Sequence, residues 1–302
     1  MQVLYSILMV TARVTTPILL AATGAVYSDQ SGLPNIALDA MMIMGAFMAV
    51  YGSFFYGSAI IGIIYAMMIG LIIGILYGFV CVYLKGDNTV VGIAFNLIGW
   101  GLTTCLPRVI YGTTGSLVSE LIVALKKLTI PGINKFPIIG GIFTNQTLIT
   151  YFSWLFVLIT AVILFKTKFG MIVRACGQNP QAAETVGYNV QFTRLICSAI
   201  TGVACGLAGA HLSLGLMTLF SEKMTAGRGF IALAAVTYAK AKPSKVLFIS
   251  LLFGFSNALS NQLQLLQWPS DLILMVPYIF VVFFVIIDPF IATIRLKKFK
   301  AI

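Results

Sequence analysis

Side chains able to do chemistry are scarce in this chain. It holds a single histidine, His211, eight Asp and Glu residues, and five cysteines with no C-x-x-C spacing. Metal sites and nucleophilic catalysis need several such groups at suitable spacings, so we expect no metal site and no catalytic residue. No Gly-Lys pair occurs, which excludes the phosphate-binding loop G-x-x-x-x-G-K-[ST]. The sequence therefore predicts a protein that is not an enzyme.

The elements that must position the remaining polar residues are long and apolar. Hydrophobic residues make up 60% of the 302 residues and charged residues 9%, against about 45–50% and 25% in soluble domains. Because runs of this kind cross a bilayer as helices, we expect an all-α polytopic membrane protein of about nine spans. The apolar runs lie at 3–27, 32–50, 58–84, 89–106, 149–165, 193–216, 226–239, 243–265 and 270–289.

The positive charges predict an orientation. If the tail RLKKFK (295–300) is cytoplasmic, alternating spans place twelve Lys and Arg residues in cytoplasmic loops and six in outer loops. This distribution follows the positive-inside rule. An odd number of spans then places the N-terminus outside. The net charge of +11 reflects this loop bias, and we expect no nucleic-acid partner.

The spans predict a single transmembrane domain over 1–302. We expect a first half (1–106), an outer loop (107–148), a linking span (149–165), a cytoplasmic coupling loop (166–192), a second half (193–289) and a cytoplasmic tail (290–302). The segments at 32–46 and 226–239 each open a span after a Gly-containing turn. Interrupted spans at matching places suggest two inverted-repeat halves, as in transporters. Within the outer loop, SELIVALKKL (119–128) predicts an amphipathic helix.

A short polar stretch, RACGQNPQAAETVGYNV (174–190), separates two apolar runs. Asn179 before Pro180 is typical of a helix N-cap followed by the first helical residue, and Gly187 is typical of a helix end. We predict a helix over 179–187, about 10 Å long. Two interpretations are open: a loop helix packed on its own bundle, or a docking helix for a soluble partner. The small apolar face of this helix holds Ala182, Ala183 and Val186.

The same stretch resembles the cytoplasmic coupling segment of permease subunits of ATP-binding-cassette (ABC) importers. The subgroup is that of ribose, nucleoside and branched-chain amino acid permeases, and the details are most similar to the nucleoside branch. Asp39 departs from the family, in which Glu is more frequent at this place. Four further segments resemble the family in the same order: GLPNIALDAMMIMGAFMA (32–49), KGDNTVVGIAFNLIGWGLT (85–103), GLAGAHLSLG (206–215) and MTAGRGFIALAAV (224–236).

The resemblance implies a multi-pass permease of the bacterial cytoplasmic membrane, surrounded by lipid. Its partners would be a second, non-identical permease, a cytoplasmic ATPase that binds ATP and Mg²⁺, and an extracytoplasmic substrate-binding protein. This chain itself would hold no cofactor. The alternatives are an ion-coupled secondary transporter of a small polar solute and an ABC permease for a sugar or another small solute. The residues expected to couple to the ATPase are Cys176, Gly177, Asn179, Pro180, Ala182, Ala183, Glu184 and Gly187.

Two ionisable residues, Arg13 and Asp39, lie inside predicted spans. An unpaired charge at the bilayer centre costs about 2.5–3.5 kcal/mol, so we predict an ion pair between the first two spans. Alternatively, both residues line a polar cavity that senses solute. Amide and aromatic side chains in the spans could hydrogen-bond and enclose a nucleoside, although each amide could instead bond a neighbouring helix. These candidate path residues are Asn35, Phe95, Asn96, Trp100, Phe230 and Asn257.

Overall fold

A computed structural model describes residues 2–112, 115–128 and 144–263, together with Met275 and Ile279. This part of the chain is mostly helical, and seven of its helices are long and apolar enough to cross a membrane. They are α1 (Gln2–Gln30), α2 (Leu38–Tyr56), α3 (Ala59–Val82), α4 (Asn88–Tyr111), α5 (Leu148–Lys166), α8 (Val190–Ala210), which continues as a π-helix (His211–Met217), and α10 (Pro243–Leu263). The shorter helices are α6 (Lys168–Gln178), α7 (Pro180–Thr185) and α9 (Arg228–Tyr238).

The expected nine spans are only partly matched. The run at 226–239 forms α9, whose 11 residues measure about 16 Å and cannot cross a hydrocarbon core of about 30 Å. This run is therefore half a span, and its prediction as a full span is wrong. The expected span at 270–289 and the tail lie outside the described residues, apart from Met275 and Ile279.

The long helices alternate between two ends of the bundle. One end, here the coupling end, holds α6, α7, the α1–α2 turn and the α9–α10 turn, because Gly177 lies against Gln30 and the Gln30 side chain bonds Ala241. The opposite end, here the strand end, carries two small antiparallel ladders. They are formed by β1 (Ser116–Leu117) with β4 (Phe220–Ser221), and by β2 (Lys127–Leu128) with β3 (Gln146–Thr147).

Helix α2 lies at the centre of the bundle and is mostly buried, chiefly by α3, α8 and α4. Close approach of α3 and α8 depends on small residues, because lipid provides little hydrophobic drive for helix association. A side chain at Gly70 would overlap the Gly202 carbonyl oxygen, and Gly74 lies against Ser198. The Ser198 hydroxyl donates to the Gly74 carbonyl at 2.6 Å, which adds a polar contact to this packing.

Helix α2 begins six residues later than its apolar run. Residues 33–36 have no helical or turn assignment, and Gly32 has φ +79°, a left-handed conformation that suits glycine. Pro34 and Asn35 follow, and the Asn35 Oδ1 accepts from the Ala37 N–H at 2.9 Å. This Asx-type contact competes with helix formation, so the chain enters the bundle as irregular backbone before α2 starts at Leu38.

The predicted amphipathic helix at 119–128 is wrong. This segment forms a single turn at 119–122 and is not helical from there to its end, where its backbone bonds distant residues. The Val123 N–H donates to the Ser53 hydroxyl at 2.9 Å, and the Leu125 N–H donates to the Leu214 carbonyl at 3.0 Å. Tertiary partners therefore override the helical hydrophobic pattern here.

Candidate functional site

The Asp39 carboxylate connects three elements inside the bundle, although only 1% of the residue is exposed. Its Oδ2 accepts from Trp100 Nε1 on α4 at 2.9 Å and from the Thr225 hydroxyl at 3.1 Å. Its Oδ1 accepts from the Gly229 N–H at 3.1 Å. Gly229 is in the first turn of α9, where backbone N–H groups lack helical partners. Asp39, a residue of α2, thus caps the start of α9, and the positive end of the α9 dipole stabilises the carboxylate.

Asn96 and Asn35 shape the entry into α2. The Asn96 Oδ1 accepts from the Ala40 N–H at 2.9 Å, and its Nδ2 donates to the Ile36 carbonyl at 2.9 Å. Asn96, a residue of α4, therefore bonds the backbone both before and after the start of α2. Both asparagines are buried and bond the backbone, so they support the interrupted segment. As solute ligands they would first have to break these bonds.

The other candidate path residues are spread over three helices. Phe95 is half-buried and packs edge-to-face with Tyr77 at 6.0 Å between ring centroids. The Trp100 indole N–H is already hydrogen-bonded to Asp39. Phe230 follows Gly229 in α9 and has 40% of its surface exposed. Asn257 is half-buried, and its Nδ2 donates to the Phe253 carbonyl of its own helix at 2.9 Å.

Arg13 and Asp39 do not form the predicted ion pair. The Arg13 guanidinium donates to the Asn145 carbonyl at 2.8 Å and contacts the Met9 sulfur, which places it towards the strand end. Asp39 lies one residue into α2, where its partners are Trp100, Thr225 and Gly229. Each charge is stabilised by neutral dipoles instead of by an opposite charge.

A buried polar chain that the sequence did not predict lies beside Arg13. His211, at the start of the π-helix, has its Nε2 3.2 Å from the Arg13 carbonyl and its Nδ1 3.2 Å from the Thr147 hydroxyl. A carbonyl only accepts, so a neutral ring carries its proton on Nε2 and accepts from Thr147. Thr147 continues to Thr150 at 3.1 Å. The signal in the sequence was the lone histidine in an apolar run.

The capped helix predicted in 174–190 is present as α7. The Asn179 side chain accepts from the Ala182 N–H at 3.1 Å, and Pro180 is the first helical residue. Gly187 has φ +93° and its N–H donates to the Glu184 carbonyl at 2.9 Å, which ends the helix. The docking role of this helix remains a prediction.

The predicted coupling residues divide into an inner and an outer set. Cys176 and Ala183 are buried and pack with Val190, while Gly177 lies against the α1–α2 turn. The predicted common face is wrong, because Ala183 is only 4% exposed and Val186 is 72% exposed. The exposed residues are Asn179, Ala182, Glu184, Val186 and Gly187, while Pro180 is half-buried. Asn179, Ala182 and Val186 line a surface cavity of about 310 Å³, which the buried Ala183 also borders.

Known proteins resemble this chain over most of its length. It is 33% identical over 296 residues to the guanosine ABC transporter permease protein NupQ of Bacillus subtilis (strain 168), which covers 92% of this chain and 90% of NupQ. It is 33% identical to the nucleoside ABC transporter permease protein NupC of Lactococcus lactis subsp. cremoris (strain MG1363), covering 89% and 87%. The putative glucose ABC transporter permease protein TsgC13 of Haloferax volcanii is 31% identical, covering 86% and 78%.

No solved structure gives a significant match. The family described as "branched-chain amino acid transport system / permease component" matches residues 6–285. Seven membrane-length helices among the described residues agree with this match. The chain therefore belongs to this family of ABC transporter permease subunits, which are integral proteins of the cytoplasmic membrane.

Proposed function

We propose that the chain is a permease subunit of an ATP-driven nucleoside importer. The observation that carries the proposal is 33% identity, over about nine-tenths of both chains, to a permease named for guanosine. A nucleoside permease from a second organism is equally similar. A sugar is the second candidate solute, favoured by the 31% identity to a putative glucose permease.

The solute path is proposed to run beside α2, α4 and α9. Phe230 is the best candidate for a direct contact, because its exposed ring can stack on a base. It lies next to Gly229, whose position is fixed by Asp39. Phe95 supplies a second ring on α4, whereas Asp39, Asn96 and Trp100 act indirectly by holding the helices that border the path.

The energy is proposed to enter through α7 and the exposed side of the coupling end. A cytoplasmic ATPase that binds ATP and Mg²⁺ would contact Ala182, Glu184 and Val186. A second, non-identical permease would complete the path, and a substrate-binding protein would deliver solute at the strand end. The coupling end is then cytoplasmic, with the N-terminus outside and the C-terminus inside.

The domain boundaries and the inverted repeat also remain proposals. They are supported by the two interrupted segments, since α2 and α9 both start inside the bundle after irregular backbone and their first turns meet at Asp39. Helix starts that meet within the membrane are a feature of transporters built from inverted repeats.

A competition experiment tests the solute. The chain would be reconstituted in liposomes with the second permease, ATPase and binding protein of its own genome, and uptake of labelled guanosine measured with excess unlabelled guanosine or glucose. We expect competition by guanosine alone, and reduced guanosine uptake in Phe230→Ala at unchanged protein yield. Uptake of labelled glucose in the same vesicles, without uptake of labelled guanosine, would contradict the nucleoside assignment and favour the sugar.

A further inference from the structure

The α1–α2 turn at Gln30–Gly32 is held from two sides at the coupling end. One side is the C-terminus of α6, immediately before α7. The other is the turn between α9 and α10. The inference drawn from this arrangement rests on the proposed function and concerns how motion of α7 reaches the path.

The contact between the α1–α2 turn and α6 combines close backbone packing with hydrogen bonds from a side chain. A side chain at Gly177 would overlap the Gln30 carbonyl oxygen and lie 3.1 Å from the Gly32 nitrogen, so the two backbones touch. Arg194, at the start of α8, joins them. Its Nε donates to the Ser31 carbonyl at 3.0 Å and its Nη2 to the Cys176 carbonyl at 3.5 Å.

The guanidinium suits this junction because it donates in two directions from one rigid plane. Its Nη2 also lies 3.0 Å from where a Cβ on Gly32 would be, so Gly32 provides the space for it. Both acceptors are main-chain carbonyls, on two segments that are 145 residues apart. Arg194 therefore joins the backbone of the coupling segment to the backbone of the α1–α2 turn.

The second side of the turn is held by the α9–α10 connection. The Gln30 Nε2 donates to the Ala241 carbonyl at 3.0 Å. Lys240 and Ala241 have φ of +51° and +48°, and left-handed backbone is strained at residues other than glycine. The surrounding packing holds this strained connection, and Ala241 itself is buried.

From the turn, fixed contacts continue to the candidate path. The Tyr77 hydroxyl donates to the Pro34 carbonyl at 2.8 Å, and Asn96 holds the Ile36 carbonyl. Asp39 follows three residues later and binds the start of α9. An unbroken series of packed and hydrogen-bonded groups thus joins α6 to α2 and α9, which is the physical requirement for passing a displacement between sites.

We propose that Arg194 is a positioning residue for energy coupling. It joins the coupling segment to the α1–α2 turn, so that a displacement of α7 by the ATPase moves the start of α2 and, through Asp39, the start of α9. The turn responds as one body because Gln30 binds the α9–α10 connection as well.

The test compares Arg194→Gln and Arg194→Lys with Arg174→Gln in the complete reconstituted transporter. Arg174 is the matched control, because its Nε bonds only a carbonyl of its own helix, Gly170, and its guanidinium lies over Phe165 of the preceding helix. We expect Arg194→Gln to lower the number of solute molecules taken up per ATP about tenfold, as for a lost charged hydrogen bond. The amount of assembled complex and the basal ATP hydrolysis should stay unchanged, and Arg174→Gln should transport normally.

Arg194→Lys decides the outcome if the glutamine variant does not fold. Lysine keeps the charge but replaces the rigid planar fork, which donates from two nitrogens, with a single ammonium nitrogen, so we expect partial loss of coupling. Wild-type uptake per ATP in Arg194→Lys, with Arg194→Gln either normal or unfolded, would overturn the inference.

Hydrogen–deuterium exchange of the chain alone in detergent provides a readout that does not depend on the solute. We expect faster exchange in both 31–37 and 176–187 for Arg194→Gln, and in neither for Arg174→Gln. Unchanged exchange in 31–37 would contradict the junction. If wild type fails to transport nucleosides while this exchange pattern appears, the proposed function is wrong and the junction stands.

Discussion

Replacing Gly229 with alanine tests the contact between α2 and α9 directly. A Cβ at this position would lie 2.5 Å from the Asp39 Cα and 2.7 Å from its Cβ, whereas ordinary contacts begin at 3.4 Å. The two helices must therefore separate by nearly 1 Å, which as overpacking costs about 1–3 kcal/mol. The same shift lengthens the hydrogen bond from the Gly229 N–H to Asp39, which is now 3.1 Å.

Loss of a hydrogen bond to a charged group costs about 1.5–3 kcal/mol, while alanine gains up to about 1 kcal/mol over glycine in a helix. We therefore expect Gly229→Ala to lose about 2–4 kcal/mol of free energy of unfolding. Gly101→Ala is the matched control, since Gly101 is also helical and nothing lies within 4 Å of its added Cβ. It should be neutral or slightly more stable than the wild type.

Unfolding of the purified protein in micelles by increasing SDS, followed by circular dichroism, measures the difference. Gly229→Ala should unfold at a clearly lower SDS fraction than Gly101→Ala. Equal midpoints for the two variants would refute the close packing of α9 on Asp39 and the role of the carboxylate as a cap.

Two further predictions concern the coupling helix and the intramembrane charges. Val186→Trp should abolish assembly with the ATPase at unchanged stability, because Val186 is exposed, whereas Ala183→Trp should lower the stability of the chain alone. A pull-down with the ATPase measures assembly, and SDS unfolding measures stability. An Ala183→Trp variant that is as stable as wild type and assembles normally would contradict the inner position of Ala183. Arg13 and Asp39 do not touch, so the double variant Arg13→Asp with Asp39→Arg should be no more stable than either single variant. The yield of folded protein measures this, and a higher yield in the double variant than in both single variants would support the ion pair.

Local signals in the sequence were sufficient for the capped helix and for most span positions. Asn179, Pro180 and Gly187 act within their own turn, and long apolar runs act through the bilayer, so neighbours in sequence determine both. The Gly-containing turn in 32–46 indicated an interrupted span, but hydropathy alone did not place the start of α2 at Leu38, because it does not register a break within an apolar run.

The site was less predictable because its contacts are long-range. Asp39 binds Trp100, Thr225 and Gly229, which lie 61, 186 and 190 residues away. Arg13 was predicted as the partner because an unpaired charge inside a membrane is costly. In the structure the Asp39 carboxylate instead accepts hydrogen bonds from an indole, a hydroxyl and the first turn of a helix. The helical pattern of 119–128 failed for the same reason, since distant backbone and hydroxyl groups take its hydrogen bonds.

Omission of single components from reconstituted vesicles tests the central claim most directly. Labelled guanosine uptake should require ATP, the ATPase, the second permease and the binding protein together with this chain. Vesicles containing the chain alone should accumulate no guanosine under an imposed proton or sodium gradient. Gradient-driven accumulation by the chain alone, without ATP, would contradict the account and assign an ion-coupled secondary transporter instead.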